Sequence, residues 1–491
     1  MSSGESTGRP LHGRSTRRYV PARGVYTESA RLQRLDWLRS VTGLALGSLQ
    51  HTRLDAGRLT GNIEGFIGAV EIPIGMAGPL LFFGQNVQGE VYTPMATTEG
   101  ALVSSATRGA LAATLAGGVT TRVAAQAMTR APVFVFSRLE GAARFAAAAP
   151  RHLGDLRAVV RQVSDHAELV SVEPVVLGRA VHLRFRYTTG DAAGQNMTTA
   201  CTWRACQWIE EQPHLAGGCG LERFIVEGNT AGDKKASAQA LAEGRGIRVS
   251  ADCRLPAGVV ERVLRTTPDE LVSGYQHIAA GAVHSGVLGS HANTANIVAA
   301  IFTATGQDIA CVHESGAGQF ILERTPDGVH ASMTLPGLAL GTVGGGTHLP
   351  AQRELLETMG CTGRGSAHRL AEIVAGFALA LDLSTVSAAI AGHFADAHER
   401  LGRSRPIPRP QPGESTATAR VMASKASLSC PKPSGDAPPH DSRRVAKYHP
   451  VSAASHRHSA TTTRNTPLLI NRHCHAPTDM KPTDRTRERQ R

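Results

Sequence analysis

The chain has 491 residues, of which 41% are apolar and 19% are charged, so it is long enough for about two or three globular domains. This size excludes a single small module. The formal net charge of +12 is concentrated near the carboxyl end, because residues 401–491 carry 17 Lys and Arg against 6 Asp and Glu. The remainder is nearly neutral and offers no broad basic surface for specific nucleic-acid binding, although the basic end could bind polyanions without specificity.

Both ends of the chain are predicted to be disordered. Residues 1–25 are basic and rich in Ser and Gly, and no apolar core of a secretion signal follows them. Residues 405–491 are rich in Pro, Ser, Thr, His and Arg, as expected of a disordered basic tail. No segment has the roughly 20 uninterrupted apolar residues of a membrane span. The eight cysteines include no CxxC pair, so we expect a cytoplasmic protein with reduced thiols and no membrane association.

Hydrophobic periodicity predicts helices on both sides of a sheet region. Leu and Val recur at helical spacing over 27–49, which predicts the first helix. Strands are predicted at 132–136 and, half-exposed, at 181–187, and they indicate a mixed sheet around 130–225. Later helices are predicted at 291–305 and at 366–401, the second broken near Asp382. The region flanking the sheet is therefore expected to be mainly helical.

A lone carboxylate stands in the apolar segment PMATTEG at 94–100, just before a helical pattern. A carboxylic acid in apolar surroundings, here Glu99, could deliver a proton near neutral pH. A glutamate favoured at a helix start by the helix dipole is an equally good interpretation.

Charged or titratable residues at three further places point to acid–base chemistry. The segment GDKK at 232–235 sets two Lys beside an acid, where they could hold a carboxylate or stabilise an oxyanion; a solvated charge run is the alternative. Asp308 follows an apolar helix, an unusual place for a charge without a partner, and Lys234 is the predicted partner. His393 and His398 are five residues apart, which favours proton donation by one histidine over a metal-binding pair.

No GxGxxG fingerprint links a strand to a helix, so the usual dinucleotide-binding unit is not predicted. The glycine-rich segment GTVGGGT at 341–347 is a candidate substitute, because successive glycines let backbone N–H groups approach a pyrophosphate. An ordinary glycine turn is the alternative interpretation.

Taken in order, these segments resemble the catalytic region of 3-hydroxy-3-methylglutaryl-coenzyme A (HMG-CoA) reductases. The resemblance runs from about residue 60 to 405 through IGAVEIPIGMAGPL, PMATTEGALVSSATRG, GDAAGQNM, GDKKASAQALAEGRG, ANIVAAIFTATGQD, LGTVGGGTHLPAQRELLETMGC and AGHFADAH. The PMATTEG form is similar to the eukaryote-like class of the family. The resemblance implies an α+β fold, in which a large, mainly helical substrate-binding domain (26–131 and 225–404) holds an inserted ferredoxin-like cofactor-binding domain (132–224).

The resemblance also implies roles for individual residues. Glu99 would protonate the mevaldehyde oxygen, Lys234 would stabilise the oxyanion, Asp308 would tune both groups, and His398 would protonate the departing coenzyme A thiolate. The implied substrate-binding residues are Arg130, Asp233, Lys235 and Asn296. The implied cofactor-binding residues are Asp191, Asn196, Met197, Gly344, Gly345, Gly346 and Arg403.

The implied reaction is the reduction of HMG-CoA to mevalonate and free coenzyme A by two successive hydride transfers from NADPH, without metal or flavin. NADH stays open, because Asp165 stands where the family has an arginine near the adenosine ribose, and an acid there would repel a 2′-phosphate. The family also implies a homodimer or higher homo-oligomer with active sites at the interface. A catalytically lapsed acyl-CoA-binding homologue is the alternative, motivated by Glu227 and Asn293, which replace usual family residues.

Overall fold

The computed structural model describes residues 19–402. The predicted basic tail, Arg403 and residues 1–18 lie outside the described residues, and so does the side chain of His398.

The described chain alternates helices with strands. The helices are α1 (Glu28–Thr42), α2 (Leu102–Leu115), α3 (Leu139–Ala148), α4 (Leu153–Val163), α5 (Gln195–Glu211), α6 (Ala238–Glu243), α7 (Ala257–Val259), α8 (Pro268–His284), α9 (Thr294–Thr305), α10 (Val312–Ser315), α11 (Pro350–Thr358), α12 (Ser366–Ile390) and α13 (Phe394–Leu401). The strands are β1 (Ile74–Gly84), β2 (Gln88–Ala96), β3 (Val119–Arg130), β4 (Val133–Phe136), β5 (Glu168–Leu177), β6 (Ala180–Thr188), β7 (Leu221–Ile225), β8 (Gly246–Pro256), β9 (Gln319–Thr325) and β10 (Gly328–Leu338).

Six strands form the larger sheet, in the order β2-β1-β3-β8-β10-β9. All neighbours are antiparallel except β1 and β3, which are parallel. Inward residues of β8 and β10, such as Val249 and Met333, are buried with the apolar helices α9 and α12 in one core. Helix α12 lies so close to α2 that a side chain at Gly109 would collide with the backbone of Ala380. The expectation of a mainly helical flanking region is therefore incomplete, because the region also contains this sheet.

The segment from β4 to β7 has a core of its own. Its order along the chain is strand, helices α3 and α4, two strands, helix α5 and a final strand, and its sheet order is β7-β4-β6-β5. Every pairing in it is antiparallel, so the expectation of a mixed sheet is wrong. Phe134, Phe145 and Phe185 are fully buried in this second core. The pairing of Met128–Arg130 in β3 with β6 joins the two sheets.

Several predicted elements are found with different bounds. The first helix ends at Thr42 rather than continuing to residue 49, because Gly43 adopts the left-handed conformation that caps a helix. The strand predicted at 181–187 is less exposed than expected, because Arg184 is buried and paired with Glu243. The helix predicted over 291–305 begins at Thr294.

Helix α12 runs unbroken past Asp382, so the predicted break at that residue is wrong. The chain instead leaves the helix at Ala391 and turns at Gly392, which has a φ of 73°. Asp382 is tolerated inside an apolar helix because its carboxylate accepts hydrogen bonds from the backbone N–H groups of Ala292 and Asn293 at 2.8 and 2.7 Å. Within residues 19–402, α12 is the one helix long and apolar enough to cross a membrane, but most of it is buried in the first core.

Candidate active site

An ion pair joins the loop after β7 to the turn that follows α9. Lys234 Nζ lies 2.7 Å from Asp308 Oδ2, and both side chains are about 40% exposed (42% and 39%). The hydrogen bond with Asp308 raises the pKa of Lys234 above its ordinary 10.5. Partial burial would raise the pKa of Asp308, but the hydrogen bond and charge of Lys234 hold it below 3.8. The pairing predicted from the sequence is confirmed, and both groups are charged at neutral pH.

A network of buried charges lies behind Lys234. Asp233 is bound by Arg130, at 2.5 Å, and lies 3.1 Å from Arg245. Arg245 in turn pairs with Glu314 at 2.6 Å, and both of these side chains are almost fully buried. Sequence reasoning missed Arg245 and Glu314, because nothing in the chain pattern shows that residues 69 positions apart form a pair.

A second polar group lies at the start of α9. Asn296 donates a hydrogen bond from Nδ2 to Glu99 Oε1 at 3.2 Å, and the same Nδ2 lies 3.4 Å from Asn293 Oδ1. Asp382 fixes the backbone of Asn293, and burial raises the pKa of Asp382 to about 7. Glu99 itself is exposed, so a single chain does not give it the apolar surroundings expected from the sequence.

The two groups lie at opposite ends of one helix. Asn296 is in the first turn of α9 and Asp308 follows its last turn, and the 12 residues of the helix span about 18 Å. No hydrogen bond or ion pair joins Glu99 to Lys234 or Asp308 within the described part of the chain. One chain therefore holds two separate polar groups.

The two segments expected to bind a cofactor do meet. The carbonyl of Asp191 accepts the N–H of Thr342 at 2.8 Å, and Ala192 forms a bridge with Val343. Both carboxylate oxygens of Asp191 accept backbone N–H groups, from Gly365 and Ala367, at the start of α12. Asp191 therefore holds the shape of the site through the main chain.

The glycine segment has one crowded and one open side. A side chain at Gly341 would collide with Ala193, and one at Gly346 would meet Gly306. Gly344 and Gly345 have φ values of 79° and 60° and face open space. We refer to the open side of this segment, which pairs at Val343 with Ala192 just before α5, as the glycine groove.

The first turn of α5 borders this groove. Asn196 is exposed there, and Met197 packs partly against the second core. The backbone N–H groups of Gln195, Asn196 and Met197 have no acceptor among the described residues. Gln195, which the sequence analysis did not single out, donates from Nε2 to Cys311 Sγ at 3.1 Å and to Asp308 Oδ2 at 3.4 Å. It links the groove to the Lys234–Asp308 pair.

The other expected residues have different positions. Lys235 is exposed and donates from Nζ to the carbonyl of Asp233 at 3.0 Å. Glu227 lies 3.7 Å from Arg130, farther from that guanidinium group than Asp233 does. His398 belongs to α13, and its side chain is outside the described set, as is Arg403.

Comparison with known proteins identifies the class of this oxidoreductase. The family model of hydroxymethylglutaryl-coenzyme A reductase matches residues 30–403. The chain is 43% identical over 389 residues to the 3-hydroxy-3-methylglutaryl-coenzyme A reductase of Aeropyrum pernix, covering 77% of this chain and 91% of that protein. It is 37% identical over 384 residues to the enzyme of that name from Zea mays, covering 76% and 65%.

Solved structures agree on the fold. The class II 3-hydroxy-3-methylglutaryl-CoA reductase of Streptococcus pneumoniae bound to NADPH matches with a TM-score of 0.54 at 18% identity, over 73% of this chain and 97% of that chain. The chain therefore belongs to the hydroxymethylglutaryl-coenzyme A reductase family. Its reaction is the reduction of HMG-CoA to mevalonate.

Proposed function

We propose that this reductase works as a homodimer or a higher homo-oligomer, in which the Glu99 group of one chain meets the Lys234–Asp308 pair of another, with NADPH as the reductant. The observation that carries the proposal is that these groups lie at opposite ends of α9, a helix about 18 Å long. Groups that act on the same carbonyl must lie within hydrogen-bonding distance of it. A second copy of the chain would bring them together.

Exposed apolar side chains near Glu99 support such an interface. Large hydrophobic residues of β1, β2 and the segment before them are 39 to 50% exposed, namely Ile72, Ile74, Met76 and Tyr92. Exposed apolar side chains grouped on neighbouring strands favour association with another protein surface. Association through it would also surround Glu99 with the apolar environment that the sequence predicts.

Each catalytic residue has a distinct proposed role. The ammonium group of Lys234, kept protonated by Asp308, stabilises the negative charge that develops on the thioester oxygen as it is reduced. Glu99 gives a proton to the mevaldehyde oxygen, and its hydrogen bond with Asn296 orients it. His398 protonates the departing coenzyme A thiolate.

The anionic end of the substrate has its own proposed residues. Arg130 and Asp233 are a fixed, largely buried pair, and Lys235 presents an exposed ammonium beside them. A carboxylate would bind to the positive groups, and the hydroxyl could donate to Asp233. Asn296 would contact the substrate from the Glu99 side.

The nicotinamide dinucleotide is assigned to the glycine groove. Open space at Gly344 and Gly345, together with the N–H groups of the first α5 turn, suits an anionic pyrophosphate. Asp191 would hold the groove in shape, and Asn196, Met197, Gly346 and Arg403 complete the proposed set. When bound, the cofactor supplies the hydride.

NADPH is proposed over NADH. The Streptococcus pneumoniae structure of this fold is described as bound to NADPH. Asp165 would repel a 2′-phosphate, and Glu168 lines the same cavity of about 330 Å³, but Arg157 and Arg161 in that lining supply two opposing positive charges.

The β4–β7 segment is proposed to be an inserted ferredoxin-like cofactor-binding domain over 132–224, within a substrate-binding domain formed by 26–131 and 225–404. Its order of strands and helices, its antiparallel sheet and its separate core support this. A cytoplasmic location is supported by six cysteines between residues 19 and 402, all buried and without disulfides.

Subunit mixing tests the shared site. Glu99→Gln and Lys234→Ala are each expected to lower the rate of NADPH oxidation with HMG-CoA, the second by on the order of 10² to 10³. When the two variants are co-expressed with different tags, half of the dimers are mixed and each contains one intact site, so activity should recover to about a quarter of the wild-type value. No recovery in purified mixed dimers would place both groups in one chain and overturn the proposal.

A further inference from the structure

The backbone conformation of Lys234 is unfavourable and must be stabilised by contacts with other residues. Its φ is 55°, in the left-handed region that residues with side chains rarely adopt. Two carboxylates from the segment 308–314 bind Lys234, one at its side chain and one at its backbone. Asp308 Oδ2 binds the ammonium group at 2.7 Å, and Glu314 Oε1 accepts the backbone N–H at 3.3 Å.

Glu314 is in turn fixed by the interior. It lies on α10, immediately after the turn that begins at Asp308, and its Oε1 also accepts a hydrogen bond from Arg245 at 2.6 Å. Burial raises the pKa of Glu314, and the charge of Arg245 opposes that rise. Arg245 also donates from Nε to the carbonyl of Thr129, next to Arg130 at the end of β3. The backbone of Lys234 is thereby tied to the rigid sheet.

We propose that Glu314, held by Arg245, is a positioning residue that fixes the backbone of Lys234 so that its ammonium group faces the reacting carbonyl. The inference rests on the proposed role of Lys234. A lysine side chain is a flexible four-carbon stem, so an ion pair at its ammonium group does not fix the backbone from which the stem begins. Displacement of a catalytic group by about 1 Å is enough to cost on the order of 10² in rate. Glu314 supplies the second point of attachment.

Glu314→Ala is expected to lower kcat about 10²-fold while changing KM for HMG-CoA less than about threefold. Glu314→Gln keeps an acceptor oxygen for the Lys234 N–H and should lower kcat only about tenfold. Glu372→Ala is the matched control, because Glu372 is equally buried but binds Asn86, Val87 and Thr121 instead. It should lower the melting temperature yet leave kcat within about twofold of wild type.

A double-mutant cycle separates positioning from a merely structural role. If Glu314 acts through Lys234, adding Glu314→Ala to Lys234→Ala should cause no further loss of kcat. An undiminished further loss, or a wild-type kcat in Glu314→Ala, would overturn the inference. If Glu314→Ala does not fold, the same cycle is run with Glu314→Gln. Normal turnover of Lys234→Ala alone would instead show that the proposed role of Lys234 is wrong, and the inference would fall with it.

Discussion

We expect Asp308→Asn to lower kcat about 30-fold without removing the charge of Lys234. The substitution keeps the shape of the side chain and deletes its charge, which lies 2.7 Å from Nζ. Two unit charges at that distance attract by about 1.5 kcal/mol in water. Because both side chains are about 40% exposed, the net value of the pair is at most about 1 kcal/mol, and the pair is present in the ground and transition states alike. The expected loss of kcat comes instead from displacement of the ammonium group that Asp308 holds, since a shift of about 1 Å costs on the order of 10² in rate and a partial shift about 30-fold.

The pH profile distinguishes this explanation from others. Asp308 raises the pKa of Lys234 above 10.5, so the protonated, active form of wild type is lost only as pH rises through that elevated value. In Asp308→Asn the same loss should occur at lower pH, while Lys234 stays protonated at neutrality. The measurement is kcat from NADPH oxidation between about pH 6 and 11, with Asp252→Asn as control, since Asp252 pairs with His330 on the open face of the sheet. An unmoved alkaline limb, or kcat within about threefold of wild type, would refute the reasoning.

Three further changes have expected outcomes. The pKa of buried Asp382 is about 7, above the 3.8 of the unfolded chain, so protonation of this group stabilises the folded state at acid pH. The free energy of unfolding in urea of wild type, measured relative to Asp382→Asn, should therefore fall by up to roughly 4 kcal/mol between about pH 4 and 7 and stay constant above that. A difference that does not change with pH would contradict burial of this acid. Asn296→Ala removes the hydrogen bond to Glu99 and should lower kcat about tenfold in the NADPH assay, whereas unchanged kcat would separate Asn296 from catalysis. His398→Gln should slow reduction of HMG-CoA and spare reduction of added mevaldehyde, and equal loss of both would count against thiolate protonation.

The sequence correctly predicted helices and strands in which the pattern of apolar residues follows the burial of neighbouring positions. The apolar run of β4 and the helical spacing of α9 both correspond to real elements, because neighbours along the chain share one environment there. The alternation in β8, with Ile247, Val249 and Ala251 facing the core, is a period-two pattern that predicts one further strand of the larger sheet.

The failures concern contacts between distant segments. Asp382 looked like a break in a helix because its partners, the N–H groups before α9, are some 90 positions away. Glu99 looked enclosed because its neighbours in sequence are apolar, but its side chain points out of the chain that carries it. The Lys234–Asp308 contact was predictable from Asp308, whose charge follows an apolar helix and therefore needs a partner.

The length of helix α9 sets the distance along its axis between the two polar groups. Each residue of an α-helix adds 1.5 Å and about 100° of rotation. Inserting or deleting one residue between Asn296 and Asp308 would therefore shift one group along the axis and swing it to another side of the helix. Its buried side chains tolerate exchange for others of similar volume. Its number of residues does not tolerate change, because it sets both the spacing and the relative orientation of the polar groups at its two ends.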